Sequence, residues 1–146
     1  MRAHAAVAVS LLALPLVAGC GGGLSKQQLV AKADAICTRV NKQVAKEPDP
    51  KTTKDLERLA KRTVEISDPA LKDMEALKPP SNLESDFKKF VAVLKKQRDL
   101  TKKIGAAAGK GDTAQVQKIG AQANKAQDEY HRLTGRIGFK ECGGGV

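Results

Sequence analysis

Apolar residues recur at alternating steps of three and four in four stretches of this chain, and that spacing limits what it can fold into. Steps of three and four bring side chains onto one face of an α-helix, and the step of two that a half-buried strand needs is absent. The first stretch opens at Ser25, where Ser25-x-x-Gln28 has the form of a capping box. Its stripe is Leu29, Ala33, Ile36, Val40 and Val44. Glu47-Pro48-Asp49-Pro50 ends it, because two prolines so close cannot continue a helix. The second begins near Thr52 or Thr53 and carries Leu56, Leu59, Thr63, Ile66, Ala70, Met74 and Leu77. Pro69 lies inside it. Either Asp68 caps a fresh helix with Pro69 in its first turn, or Pro69 kinks one longer helix. The stripe keeps register across the proline, which favours one helix.

Pro79-Pro80 stops the second stretch, and Ser81-x-x-Glu84 repeats the capping-box form ahead of the third. That stripe runs Leu83, Phe87, Phe90, Leu94, Gln97, Thr101 and Ile104, with Val91 beside it. Gly109-Lys110-Gly111 breaks it, Gly109 being expected as the left-handed stop. Asp112-x-x-Gln115 opens the fourth, whose stripe is Val116, Ile119, Ala123, Ala126, Tyr130, Leu133 and Ile137. Four single-seam helices joined by short links predict an all-α, up-down-up-down four-helix bundle over residues 25–142.

Ahead of this domain lies a different kind of segment. Arg2 precedes an apolar run from Ala5 to Val17, interrupted by Ser10 and Pro15, and Leu16-Val17-Ala18-Gly19-Cys20 follows. A bilayer span takes roughly 20 apolar residues, and the h-region of an export signal is shorter. A plain secretory signal competes, but it has no need of a cysteine directly after the small residues. The run resembles the lipobox of bacterial prolipoproteins, in which the cysteine thiol takes a diacylglyceryl group. On that reading residues 1–19 are a cleaved signal peptide and residues 20–24 are the lipidated Cys20 with a glycine leash. Residues 143–146 form a flexible tail. Gly21 to Gly23 reach only on the order of 10 Å, so the domain is expected on the extracytoplasmic face of the cell membrane, close to the headgroups. Two or three acyl chains, palmitate among them, hold a protein there stably where one does not.

The chain carries 26 Lys and Arg against 16 Asp and Glu, a formal charge of +10, and only Arg2 would leave with the signal. Two readings compete for that surplus. One is attraction to anionic lipid headgroups or wall polymers, worth roughly 1 kcal/mol per basic residue near a charged surface. The other is ordinary solvation of outer helix faces by lysine. Nucleic acid is a poor partner, since export opposes it and aromatic residues make up only 3% of the chain, too few for base stacking. With no Trp, the core must be built mainly from Leu, Val, Ile and Ala.

Of the three cysteines, Cys20 is spoken for, which leaves Cys37 and Cys142. An even pair outside the cytoplasm suggests a disulfide. A redox-active pair is the alternative, and no Cys-x-x-Cys spacing supports it. In the bundle the fourth helix ends near the start of the first, so Phe139-Lys140-Glu141-Cys142 can climb back along the first helix to Cys37.

Catalytic and metal signatures are missing. A di-iron bundle needs Glu-x-x-His on two helices, whereas His131 with Asp128 is a lone pair on one face. There is no Cys-x-x-Cys-His haem attachment, and Met74 lacks an axial partner. Ser67, Ser81 and Ser85 sit at helix ends or polar faces, without the histidine and carboxylate that activate a nucleophile. No cofactor and no enzymatic activity are expected.

Ala33-Asp34-Ala35-Ile36-Cys37 with Asn41, Leu77-Lys78-Pro79-Pro80, the Gly-Lys-Gly-Asp turn and the ending Gly138-Phe139-Lys140-Glu141-Cys142-Gly143 resemble small helical lipoproteins of actinobacteria. Ile137 departs from that pattern, where a Tyr often precedes the ending. The resemblance implies lipidation at Cys20, helices and a Cys37–Cys142 pair, and it implies no activity. The expected function is a membrane-anchored, non-enzymatic binding or structural module. The alternative is a carrier of a small ligand in an apolar core cavity, with Ala114, Ala121, Ala123 and Ala126 leaving the space.

Overall fold

Ser25 begins the first helix by the chemistry its spacing predicts, and Thr52 caps the second with a box of the same kind. The computed structural model describes residues 23–143; the leader, Cys20, the glycines at 21 and 22 and residues 144–146 lie outside the described residues. Helix α1 covers Lys26–Val44, α2 Thr53–Glu75, α3 Glu84–Gly109 and α4 Thr113–Ile137, with a 3-10 turn at Ser81–Leu83. The described residues contain no strand, and the four helices pack against one another. At α1 the Ser25 hydroxyl accepts from the Gln28 N–H while the Gln28 side chain accepts from the Ser25 N–H, a complete box. Thr52 and Asp55 do the same for α2.

Helix α2 runs unbroken through Pro69. Proline leaves the carbonyl four residues earlier without its N–H, and both Glu65 and Pro69 are exposed, where water serves instead. Just before it, the Ser67 hydroxyl donates to the Thr63 carbonyl, the local back-bonding that lets a serine sit mid-helix.

Two expected helix ends differ in detail. Ser81 makes no side-chain cap; the backbone tightens into a 3-10 turn closed by the Leu83 N–H on the Pro80 carbonyl at 2.9 Å. That turn carries Leu83 into the core at 8% exposure, and Glu84 and Asp86 supply the negative charge that the start of α3 favours. The other is the end of α3, which continues through Gly109. The left-handed residue is Gly111, with φ +69°. The Gly111 and Asp112 N–H groups return to the carbonyls of Ala108 and Ala107, at 2.9 and 3.0 Å, a Schellman closure.

The core falls into two clusters. One gathers Leu29, Ala33 and Cys37 of α1 with Met74, Phe87, Phe90, Val93, Leu133 and Ile137, and with Phe139 and Cys142 of the tail. Its centre is aromatic: Phe90 stacks on Tyr130 at 5.5 Å between centroids and meets Phe139 edge-on at 5.0 Å. The other holds Leu100, Ala107, Ile119 and Ala126, with Ile104, Val116 and Ala123 against them. Helix α3 lies between α2 and α4, while α1 packs mainly on α2. A helix flanked on two sides buries more than one seam, so Val93 and Leu100 go inside where Gln97 and Thr101 were expected. On α1 Cys37 is buried with Leu29 and Ala33, and Ile36 and Val40 stay half-exposed.

Small residues let α2 and α3 approach closely. A Cβ built on Gly105 would stand 2.9 Å from the Ala60 Cβ, whereas one on Gly120 of α4 meets nothing within 4 Å. Overpacking costs about 1–3 kcal/mol, and an unobstructed helical Gly→Ala change returns about 0.5–1 kcal/mol. Urea unfolding should therefore show Gly105→Val lowering stability and Gly120→Ala raising it.

Candidate functional site

The C-terminal tail is held to α1 by a clasp of three residues spaced three and four apart. Asp34, Cys37 and Asn41 share one face of the helix. The Asp34 carboxylate accepts the backbone N–H groups of Lys140 and Glu141, both at 3.0 Å, and more weakly that of Cys142 at 3.4 Å. Successive N–H groups of a tight turn converge in this way on an anion. The Asn41 side-chain N–H donates to the Glu141 carbonyl at 3.2 Å. Between them Cys37 and Cys142 form a disulfide, with Cα atoms 5.1 Å apart. Gly138, with φ +94°, makes the turn that starts the tail, and the buried Thr134 carbonyl accepts from both Gly138 and Phe139.

The tether leaves from a defined point. Leu24 donates its N–H to the Lys78 carbonyl at 2.8 Å, and a Cβ on Gly23 would lie 3.0 Å from the Pro79 carbonyl oxygen. Residues 23 and 24 thus lie against the link between α2 and α3.

The outer face of α3 carries lysines in a seven-residue repeat: Lys88-Lys89, Lys95-Lys96 and Lys102-Lys103, extended by Lys110. All are exposed. A heptad advances about 10 Å along a helix and drifts about 20° around it, so the pairs form one stripe roughly 20 Å long. Only Lys95 makes an ion pair with a described residue, Glu75. Asp99 lies within the stripe, and its carboxylate is taken by Arg98 at 2.9 Å.

Arg98 also binds Asp68 of α2 through two nitrogens, at 2.8 and 3.2 Å. That hydrogen bond holds the Asp68 carboxyl below the usual carboxylate range, burial opposing it less strongly, and the two carboxylates raise Arg98. Arg62 is raised in the same way by Glu47 and Glu65.

Cys20 lies outside the described residues, so the lipid-bearing position has no described geometry. His131 is exposed on α4 and its Nε2 meets the Gln127 side-chain nitrogen at 2.9 Å. Met74 is packed in the core at 1% exposure. Among the described residues no three His, Cys, Asp or Glu side chains gather as a metal cluster, and no helix is long and apolar enough to cross a membrane. Of the alanines of α4, Ala126 is fully buried, Ala123 is half-buried, and Ala114 and Ala121 face outward. Sequence reasoning passed over the lysine repeat, although its period of seven was visible, because each pair taken alone reads as surface solvation. No protein-family model matches the chain, and neither curated proteins nor solved structures give a significant match to it.

The lowered Asp68 sets a sign for pH dependence. A group whose folded pKa lies below its unfolded value of about 3.9 stabilises the fold above that value and loses the contribution as pH falls through the folded pKa. Thermal melts of the native protein and Asp68→Asn should differ at pH 7, and the difference should shrink as pH falls from the unfolded carboxylate value through the lower folded one.

Proposed function

We propose that this chain is a lipid-anchored, non-enzymatic module of the cell envelope, an up-down-up-down bundle that lies with the lysine face of α3 on the anionic surface of its own membrane. The observation that carries the reading is the stripe from Lys88 to Lys103 together with the docking of Leu24 beside it. The tether leaves at the α2–α3 link, and the stripe begins about two turns further along the chain. Laying α3 down therefore brings every lysine pair to the headgroups without lengthening the leash. Anchor and basic face are then the two signals that stable membrane attachment takes. Each lysine near the surface contributes roughly 1 kcal/mol.

The helix order is supported by the cross-helix pairs, whose numbers run in opposite senses. Arg39 pairs with Asp73 and Glu47 with Arg62, Glu75 with Lys95 and Asp68 with Arg98, and Asp86 with Arg136. Gln97 meets Gln127 at 2.7 Å. Lipidation of Cys20 and export rest on the Leu16–Cys20 run and on the actinobacterial lipoprotein resemblance.

Vesicle co-sedimentation of the unacylated chain from Gly21 onward tests the surface reading apart from the anchor. Binding to phosphatidylglycerol vesicles at about 50 mM salt, its loss near 0.5 M as screening shortens to a few ångströms, and its absence on phosphatidylcholine are expected. Replacing Lys88, Lys89, Lys95, Lys96, Lys102 and Lys103 with Gln should weaken it at least about a hundredfold, more than six substitutions on α1, α2 and α4. Equal loss from both sets, or retention by purified wall polymer instead of vesicles, contradicts the reading.

A further inference from the structure

All four helices contribute to a half-open pocket of about 100 Å³ beside the disulfide, against the first core cluster. Its floor and walls are apolar. Ile36 and Val40 come from α1, Ala70 and Leu71 from α2, and Leu94 from α3. The space follows from the sequence: Ala70 is too small to fill it, and α1 keeps Ile36 and Val40 only half-buried at this level. One turn beyond Leu94, α3 presents Arg98 in place of another apolar residue, and the pocket ends there.

Four polar side chains line it, and of these Ser67 has already given its hydroxyl hydrogen to the Thr63 carbonyl. Tyr130, the residue α4 contributes, has a hydroxyl with no hydrogen-bond partner among the described residues, and burial, with the Asp34 charge nearby, pushes its pKa up to about 12. It is therefore a neutral phenol at any ordinary pH, free both to donate and to accept. Asn41 has given its N–H to Glu141 and keeps its carbonyl oxygen as an acceptor. Arg98 is shared between Asp68 and Asp99, so its charge is already offset.

We infer that this pocket is a binding site for a small uncharged molecule with a single-ring or short branched body and one hydroxyl head. A volume of this order suits a body no larger than a benzene ring. Tyr130 and Asn41 hold the head. A carboxylate is disfavoured, since two acidic side chains stand against the single guanidinium. A few well-placed polar groups in an apolar pocket between bundle helices are the usual composition of a small-molecule site. The site is separate from the lysine face of α3 and does not depend on membrane binding.

Amide chemical shifts of the oxidised chain in vesicle-free buffer test this, with phenol, benzene and benzoate as probes. Phenol should give saturable shifts around Val40, Ala70 and Tyr130, about tenfold tighter than benzene, the worth of one hydrogen bond, and benzoate should give none. Tyr130→Phe should erase the advantage of phenol and leave benzene unchanged, a split that general loosening of the fold does not produce. Val40→Phe, which fills the space from the half-exposed side, should abolish both. Should that variant lose its helical circular dichroism, Ala70→Leu fills the same space from α2. The inference is overturned by the absence of saturable shifts with phenol and benzene, by benzoate binding as tightly as phenol, or by a folded filling variant that still binds.

Discussion

Closure of the tail onto α1 is the interaction on which the placement of the first helix depends. Helices α2 and α4 each pack extensively on α3, and α2 approaches it closely at Gly105 and Ala60. Helix α1 has less to hold it. Its buried residues are Leu29, Ala33 and Cys37, and beyond them it is only partly covered. The clasp compensates. Cys37 and Cys142, 105 residues apart, remove loop-closure entropy from the unfolded chain worth roughly 4–5 kcal/mol in the chain-entropy account. Asp34 holds the tail beside the disulfide by accepting its N–H groups. Phe139 is carried into the aromatic centre by the same turn.

Much of this was legible in the sequence, and the reasons differ from element to element. Helix positions followed from periodicity and capping because those signals are local. The Cys37–Cys142 pair followed from cysteine counting and from the tail's reach. Asp34 and Asn41 were singled out only as part of a family likeness; that they grip a backbone more than a hundred residues away is a tertiary fact. Orientation of each stripe was harder. Gln97 was placed on the seam and instead reaches Gln127 across the α3–α4 interface. Val93 and Leu100 entered the core because α3 has two neighbours, which no single-helix pattern reveals. The spacing of the alanines on α4 did not show which of them would be buried, and α1, the loosely packed helix, borders the pocket beside the disulfide.

Two features of the surface then take on meaning from the same arrangement. The lysine repeat of α3 is free to face outward because α3 is buried on its other sides by α2 and α4. The pocket exists because α1 leans on the bundle and is pinned by the tail at one level. Charge and cavity are thus separate consequences of an asymmetric bundle, three helices tightly packed and a fourth clasped on.

Amide hydrogen exchange, compared between the oxidised and the reduced protein, tests that asymmetry most directly. Clasping predicts that reduction of Cys37–Cys142 strips protection from α1 and from residues 139–142 while the amides of α3 and α4 around Leu100, Ile119 and Ala126 stay slow. Equal loss across all four helices, or unchanged protection of α1, would contradict it.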